Sequence, residues 1–518
     1  MGFAAEAVFG RGVASLCVVV ALAACMATRP VQAQSSQPYW GSYGGNAQHT
    51  ALSSVASQPL NRIRWHAPVD LDARYSGADL LVHYGSPLLT QANTVIMPVK
   101  LRSVNGFRIY ARRGSDGSLL WRQSTNYRLP PHGWTPTFSP VLTPTGKLWF
   151  PAGGGAVYYR TAIDARGAGK RQVVFYGADN YRQSRRAYLT HVFINTPLTT
   201  DSAGNVFFGF QVTGATPLNL RGGIARIADD GTATWVAAST AAADSGITKV
   251  AHNCAPALSN DGSTLYVAVS NGNGSGAASG YLLALNSQTL ATIARRRLKD
   301  PSSSLDADIN DNGTASPTVG PDGDVYFGVL ESPWLSNHDR GWLLHFDSAL
   351  NPKGAPGAFG WDDTASIVPA TMVPSYHGSS TYLLMTKYNN YAGAGGDGVN
   401  RIAVLDPNAQ MLDPISGATV MREVLTIAGP TPDLTERPTF PNAVREWCIN
   451  TAAIDPMTHA IMANSEDGTL YRWDMTSGTL SQSIVLTGGV GEAYTPTVIG
   501  PDGTVYAINN GVLFAIGQ

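Results

Sequence analysis

Hydrophobic residues in this chain come in short runs separated by turn-forming residues, and the pattern repeats. It is clearest at residues 314–327, TASPTVGPDGDVYF. Small residues and a proline lead into a brief apolar run, a Pro-Asp-Gly turn follows, and a second apolar run ends in an aromatic. Pro321 presets φ, and Gly323 accepts the positive φ that a tight turn requires, so the stretch predicts a β-hairpin. The same unit recurs at residues 85–97, 139–150 (SPVLTPTGKLWF), 196–208 (TPLTTDSAGNVFF), 255–267 (APALSNDGSTLYV) and 495–507 (TPTVIGPDGTVYA). Weaker copies stand at 373–384 (VPSYHGSSTYLL) and 451–462 (TAAIDPMTHAIM).

With Pro87, Pro140, Pro197, Pro256, Pro317, Pro374, Ala452 and Pro496 as phase markers, there are about eight units. Most lie roughly 53 to 61 residues apart, a spacing of propellers and solenoids, with a longer step before Ala452 and a shorter one before Pro496. Each hairpin is followed by a glycine, an apolar run, a polar turn and another β-rich run. Examples are residues 106–123 (GFRIYARRGSDGSLLWRQ), 222–238 (GGIARIADDGTATWVAA), 280–296 (GYLLALNSQTLATIARR) and 468–485 (GTLYRWDMTSGTLSQSIV). Each unit is therefore four short strands, one propeller blade.

The last unit stops after three strands, and the run RIRWHAP at residues 62–68 has no hairpin partner of its own. Joining the two completes the ring and leaves only short, protected sheet edges. The expectation is an all-β chain: one eight-bladed β-propeller of four-stranded blades over residues 34–518, monomeric and closed by an N-terminal strand.

Composition adds limits. Hydrophobic residues make up 44% and charged residues 14%, which suits a large core, and 55 glycines with 32 prolines suit many tight turns. A formal net charge of −1 argues against a general nucleic-acid binder. Residues 1–33 read as an export signal, with Arg11 ahead of an apolar stretch at 13–24 too short to span a bilayer. Cleavage after Val31-Gln32-Ala33 gives a soluble periplasmic or secreted protein. Leu22-Ala23-Ala24-Cys25 resembles a lipobox that would lipidate Cys25. Outside the signal only Cys254 and Cys448 remain, read as two separate buried thiols; a disulfide would require the approaches to two blades to meet. No paired-cysteine zinc spacing occurs.

In a propeller, the loops leading into the inner strands gather around the central channel. Here those loops carry His83; His132 and Trp134; His191 and Asn195; His252 and Asn253; Asp306, Asp308, Asn310, Asp311 and Asn312; Trp361, Asp362 and Asp363; Glu446, Trp447 and Asn450; and Glu492 with Tyr494. His83, His191 and His252 are candidate ligands of a transition metal. The plainer reading is that polar residues begin strands and satisfy loop backbone groups. The run DADINDN at 306–312 suggests calcium through its clustered oxygens, without the twelfth-position glutamate of an EF-hand. Glycine-rich 271–276 and 389–400 read as loops. The basic stretch 182–186, with Lys170 and Arg171, faces solvent or an anion. Tyr127, Trp134, Trp334, Tyr388, Tyr391 and Trp447 are candidates for a stacking platform.

The opening WGSYGGNAQHTALSS followed by RIRWHAP, together with the xxPxxxPDGxVY hairpins, resembles the quinoprotein (PQQ-type) propeller superfamily over residues 39–518. That resemblance implies the fold. For activity it admits PQQ- and calcium-dependent dehydrogenases of alcohols or sugars, and also non-enzymatic envelope proteins. Trp361-Asp362-Asp363 resembles the dehydrogenases' tryptophan–aspartate segment, which makes Asp362 and Asp363 the candidate base. Asn253-Cys254-Ala255-Pro256 resembles their calcium-ligand segment. Trp134, Asn253, Trp361, Glu446, Trp447 and Glu492 are the candidate cofactor contacts. The adjacent-cysteine pair and the CxxCH haem site are missing. Three functional readings follow. The leading one is an exported protein binding a small ligand or an envelope protein partner at the funnel mouth, without quinone redox chemistry. The others are a PQQ/calcium dehydrogenase and a metal-dependent lyase or hydrolase using the histidines.

Overall fold

The Pro-Asp-Gly hairpin forms as its chemistry dictates. Gly323 has φ +89°, its N–H donates to Gly320 O at 2.9 Å, and Thr318–Val319 pairs antiparallel with Val325–Val329. The computed structural model describes residues 38–518 apart from 78, 103–105, 168, 275, 489–493 and 495. The predicted export signal, including Cys25, lies outside the described residues.

Repetition of this hairpin builds eight antiparallel blades arranged as a propeller. In blade 1 the order is Leu88–Thr90, Thr94–Lys100, Phe107–Arg113 and Leu119–Ser124. Blades 2, 3, 4 and 7 repeat it, and the second halves read from the sequence supply the third and fourth strands of blades 1, 3, 4 and 7. Alternating burial drives this arrangement. The second strand of each blade is buried on both faces between its neighbours, as in Thr94–Lys100, whereas the outermost strand alternates, as in Thr479–Val485.

Blade 6 departs from the predicted phase. Its innermost strand is Ser366–Pro369, not the stretch around Pro374, and Tyr382–Lys387 pairs with it. The lead-in Thr364-Ala365-Ser366 repeats Thr314-Ala315-Ser316, but isoleucine replaces the proline that marked the other blades. The long step before blade 7 comes from an extended hairpin, Arg401–Leu412 with Thr419–Ala428. In blade 5 the outer strand is irregular: residues 352–357 meet Trp342–Phe346 only through the bridges Phe346↔Pro352 and Leu343↔Gly357. Residues 182–186, read as a basic loop, fall within two short helices and the turn between them, Ala178–Gln183 and Arg185–His191.

The ring closes as expected. Arg62–Pro68 pairs antiparallel with Val512–Gly517, from Arg62↔Gly517 to Pro68↔Val512, and becomes the outer strand of blade 8. Trp65 anchors the joint: its Nε1 donates to Gly114 O at 2.8 Å, and its ring tilts onto Tyr506.

The segment before that strand does more than the sequence suggested. Residues 38–53 run around the axis and collect hydrogen bonds from one innermost strand after another. Pro38–Trp40 pairs with Leu88–Thr90 of blade 1. Leu142 then donates to Gly41 O (2.8 Å), Leu258 to Ala47 O (2.8 Å), Val319 to Gln48 O (3.0 Å), Ile367 to Thr50 O (3.1 Å) and Ile454 to Ala51 O (2.9 Å). His49 and Ala51 take left-handed backbone conformations, φ +59° and +55°, to keep this tight curve. Tyr43 and His49 are buried at its centre, edge to face at 5.2 Å. The Tyr43 phenol bonds Thr364 Oγ1 (2.9 Å) and Asn450 Oδ1, which belong to the lead-ins of blades 6 and 7.

Tyr43→Phe removes only that hydroxyl and leaves its buried partners short of a bond. We predict a loss of about 1–3 kcal/mol in unfolding free energy by denaturant titration. Tyr39→Phe, whose hydroxyl meets only Ser53 Oγ, should cost less. Equal effects at the two positions would remove the axial role assigned to Tyr43.

Candidate functional site

Most polar residues leading into the blades act as lashings between neighbours. Ser316 N donates to Thr364 Oγ1 (3.0 Å), Thr364 N to Asn450 O (3.1 Å), and Ala255 N to Ser316 Oγ (2.9 Å). One step along, Thr199, Thr318 and Ser366 each donate a hydroxyl to a carbonyl of the following blade: Pro256, Ala365 and Ala452. Asn253 is spent in the same way. Its Oδ1 accepts from Thr137 N (2.7 Å), its Nδ2 donates to Gly313 O (2.9 Å), and its N–H reaches Asn195 O (3.0 Å). These interactions satisfy buried backbone groups that no sheet ladder reaches.

Inside this belt, three aromatic rings meet at the axis. His83 stacks on Trp134 with centroids 5.4 Å apart, and Tyr494 stands edge-on to both. His83 Nε2 bonds Asn312 O at 2.7 Å, and Asn312 Oδ1 accepts from Trp134 N. Burial holds the His83 imidazole below its ordinary pKa, with Asp362 opposing and Lys387 reinforcing the shift.

Asp362, Asp363 and Lys387 form the charged part of the site. Asp362 Oδ1 accepts from Thr314 N at 2.6 Å and from the Thr314 hydroxyl. Its other oxygen lies 3.9 Å from Lys387 Nζ, and both side chains are almost wholly buried. The Lys387 ammonium also faces the rings of Tyr494 (5.5 Å) and Phe359 (5.8 Å). No acceptor lies within hydrogen-bond distance of it among the described residues. Asp363 accepts from the Thr386 hydroxyl and Lys387 N (3.1 Å). Burial pushes its carboxyl up to about 7, against the pull of Lys387. Lys387 escaped the sequence analysis. Its only signal was a lysine ending an otherwise apolar strand, Tyr382–Lys387.

The histidine trio does not assemble as a metal site. His252 is buried with neither ring nitrogen hydrogen-bonded, and burial beside the Lys249–Asp311 ion pair pushes its pKa down to about 3. It lines a cavity of about 20 Å³ with Asp308, Asn310, Trp361 and Asp362. His191 sits at the end of Arg185–His191 against Gly214. Among the described residues, no group of ligand atoms within 4.8 Å includes any of the three histidines. His83 and His252 stand four residues before Pro87 and Pro256, whereas His191 stands six before Pro197, so the three do not share one register.

The DADINDN acids also disperse. Asp306 pairs with Arg297 and Lys299, Asp308 accepts from Ala278 N, and Asp311 pairs with Lys249. Trp447 is fully buried, its backbone held by Asn389, so it presents no face to a cofactor. Tyr127 and Tyr388 are likewise buried, whereas Trp334 is exposed on a loop. Glu446 remains half-buried at the mouth, and Glu492 lies outside the described residues. Cys254 and Cys448 are separate buried thiols.

A tricyclic quinone needs a flat slot of several hundred Å³ and free first contacts. The cavity beside Trp361 and Asp362 has room for about one water. One face of Trp134 is taken by His83, and both ends of the Asn253 amide are engaged. These residues do not fit PQQ as they stand.

No protein-family profile matches the chain. No curated protein matches it in sequence. Among solved structures, a quinohemoprotein alcohol dehydrogenase from Comamonas testosteroni superposes with TM-score 0.54 at 11% identity, over 94% of this chain and 82% of that one. A europium-containing methanol dehydrogenase gives TM-score 0.52 at 12% identity, over 92% and 89%. At such identities the likeness is one of fold. The chain thus has the eight-bladed propeller architecture of the quinoprotein dehydrogenases.

Proposed function

We propose that this protein is an exported propeller that holds a small anionic ligand of the carboxylate class at the mouth of its axial channel, without quinone redox chemistry. The observation that carries this reading is the Lys387 ammonium. Its side chain is almost wholly buried, no hydrogen bond to its Nζ forms among the described residues, and the nearest carboxylate oxygen among them lies 3.9 Å away. Buried ammonium groups are ordinarily paired and hydrogen-bonded, so this one favours an acceptor brought from outside. The half-exposed rings of Trp134, Trp361, Tyr391 and Tyr494 surround the approach and suit the carbon skeleton of such a ligand. An export signal at residues 1–33 would place it outside the cytoplasm.

The test is calorimetric titration of the dialysed full chain with mono-, di- and sugar carboxylates. Saturable binding is expected, and Lys387→Met should weaken it by at least about tenfold. Equal affinity in the variant, or stoichiometric quinone absorbance in natively produced protein, would overturn the reading. Capture of an envelope protein with no small-anion binding would do the same.

Asp363 adds a pH dependence. Its carboxyl is protonated in the fold up to about pH 7 but ionises near 4 in the unfolded chain. The folded state therefore binds the extra proton between those values, and stability falls as pH rises from 4 to 7. Above pH 7 the new negative charge beside Lys387 also weakens anion binding. Asp363→Asn should flatten both profiles, as read by denaturation midpoints and affinities between pH 5 and 8. Profiles unchanged in the variant would assign the titration elsewhere.

A further inference from the structure

Blade 7 holds a cluster of side chains that the axial site does not use. Glu446 and Cys448 lie on the loop leading to its innermost strand, and Glu466 on the turn between Ala460–Asn464 and Thr469–Asp474. One ligand atom from each lies within 4.8 Å of the other two, and among the described residues no other group of three His, Cys, Asp or Glu side chains comes so close. Cys448 Sγ is 3.4 Å from Glu466 Oε2 and 4.0 Å from Glu446 Oε2. Cys448 and Glu466 are buried, whereas Glu446 is half-buried.

These distances have a chemical meaning. A tetrahedral zinc ion with a Zn–S bond of about 2.3 Å and a Zn–O bond of about 2.0 Å sets sulfur and oxygen about 3.5 Å apart. The 3.4 Å separation to Glu466 matches that edge length, and the 4.0 Å separation to Glu446 is somewhat longer. Charge points the same way. The thiol has one proton to give, yet two carboxylates converge on it. Arg445 is a nearby cation, and it divides between Glu466 (3.6 Å) and Asp433 (3.4 Å).

We propose that Glu446, Cys448 and Glu466 bind a divalent transition-metal ion of the zinc class. A thiolate with two carboxylates selects borderline ions such as zinc or cobalt over calcium and magnesium, which prefer oxygen alone. Three protein ligands leave a fourth position, on the side where Glu446 meets solvent. Tyr391, whose phenol accepts from Asn389 Nδ2 at 3.2 Å and lies in the field of Glu446 and Cys448, flanks that side. The site is independent of the Lys387 reading.

The experiment is titration of the reduced, metal-free full chain with cobalt(II). One equivalent should bring up a sulfur-to-cobalt charge-transfer band, and zinc should displace it. Cys448→Ser should abolish the band and Cys254→Ser should keep it. Glu446→Gln, at a half-exposed position that spares the core, should lower cobalt affinity by at least about tenfold. The proposal falls if one equivalent gives no band while Cys254 and Cys448 titrate as reduced. It also falls if the band survives in Cys448→Ser, or if Glu446→Gln binds cobalt as tightly as the parent.

Discussion

Each blade turns its shortest strand toward the axis, and the inner edge of that strand has no sheet partner. Eight rows of backbone donors and acceptors would then face one another across a channel too narrow for free hydration. This chain answers with its own N-terminal segment. Residues 38–53 pass round the axis and accept from Leu142, Leu258, Val319, Ile367 and Ile454 in turn, while hydroxyls at the blade lead-ins join neighbour to neighbour. Backbone satisfaction, more than any single side chain, decides how the middle of the molecule is built.

The candidate site inherits its character from that solution. The segment fills the axis at one level, so Tyr43 and His49 are structural and buried, and burial pushes the His49 imidazole down to about 4. Polar groups at the blade lead-ins are mostly engaged in lashings. Lys387, and the cluster in blade 7, stand out because the lashing scheme does not account for them.

The fold was legible because hairpins carry local signals: proline and glycine at the turns, alternating burial on outer strands, and a missing fourth strand matched by Arg62–Pro68. Blade 6 was misphased because Ile367 stands where other blades have proline. The site was far less legible. Lead-in position placed His83, Trp134, Asn253, Trp361 and Asp362 near one another, but said nothing of which were already hydrogen-bonded. Lys387 and Glu466 sit at the far ends of second strands, outside the lead-ins where chemistry was sought. Each meets a lead-in residue of its own blade, Lys387 with Asp362 and Glu466 with Cys448, across the end of the inner hairpin, a pairing that the lead-in sequence alone does not show.

The closure of blade 8 also governs the order in which the molecule comes into being. Arg62–Pro68 is synthesised long before its partner Val512–Gly517. Until that partner arrives, the chain is an open arc with an uncovered edge at each end, the kind that recruits strands from other molecules. Contacts so distant along the chain also slow folding. The lock that makes the finished ring durable therefore lengthens the interval in which the unfinished one needs shielding.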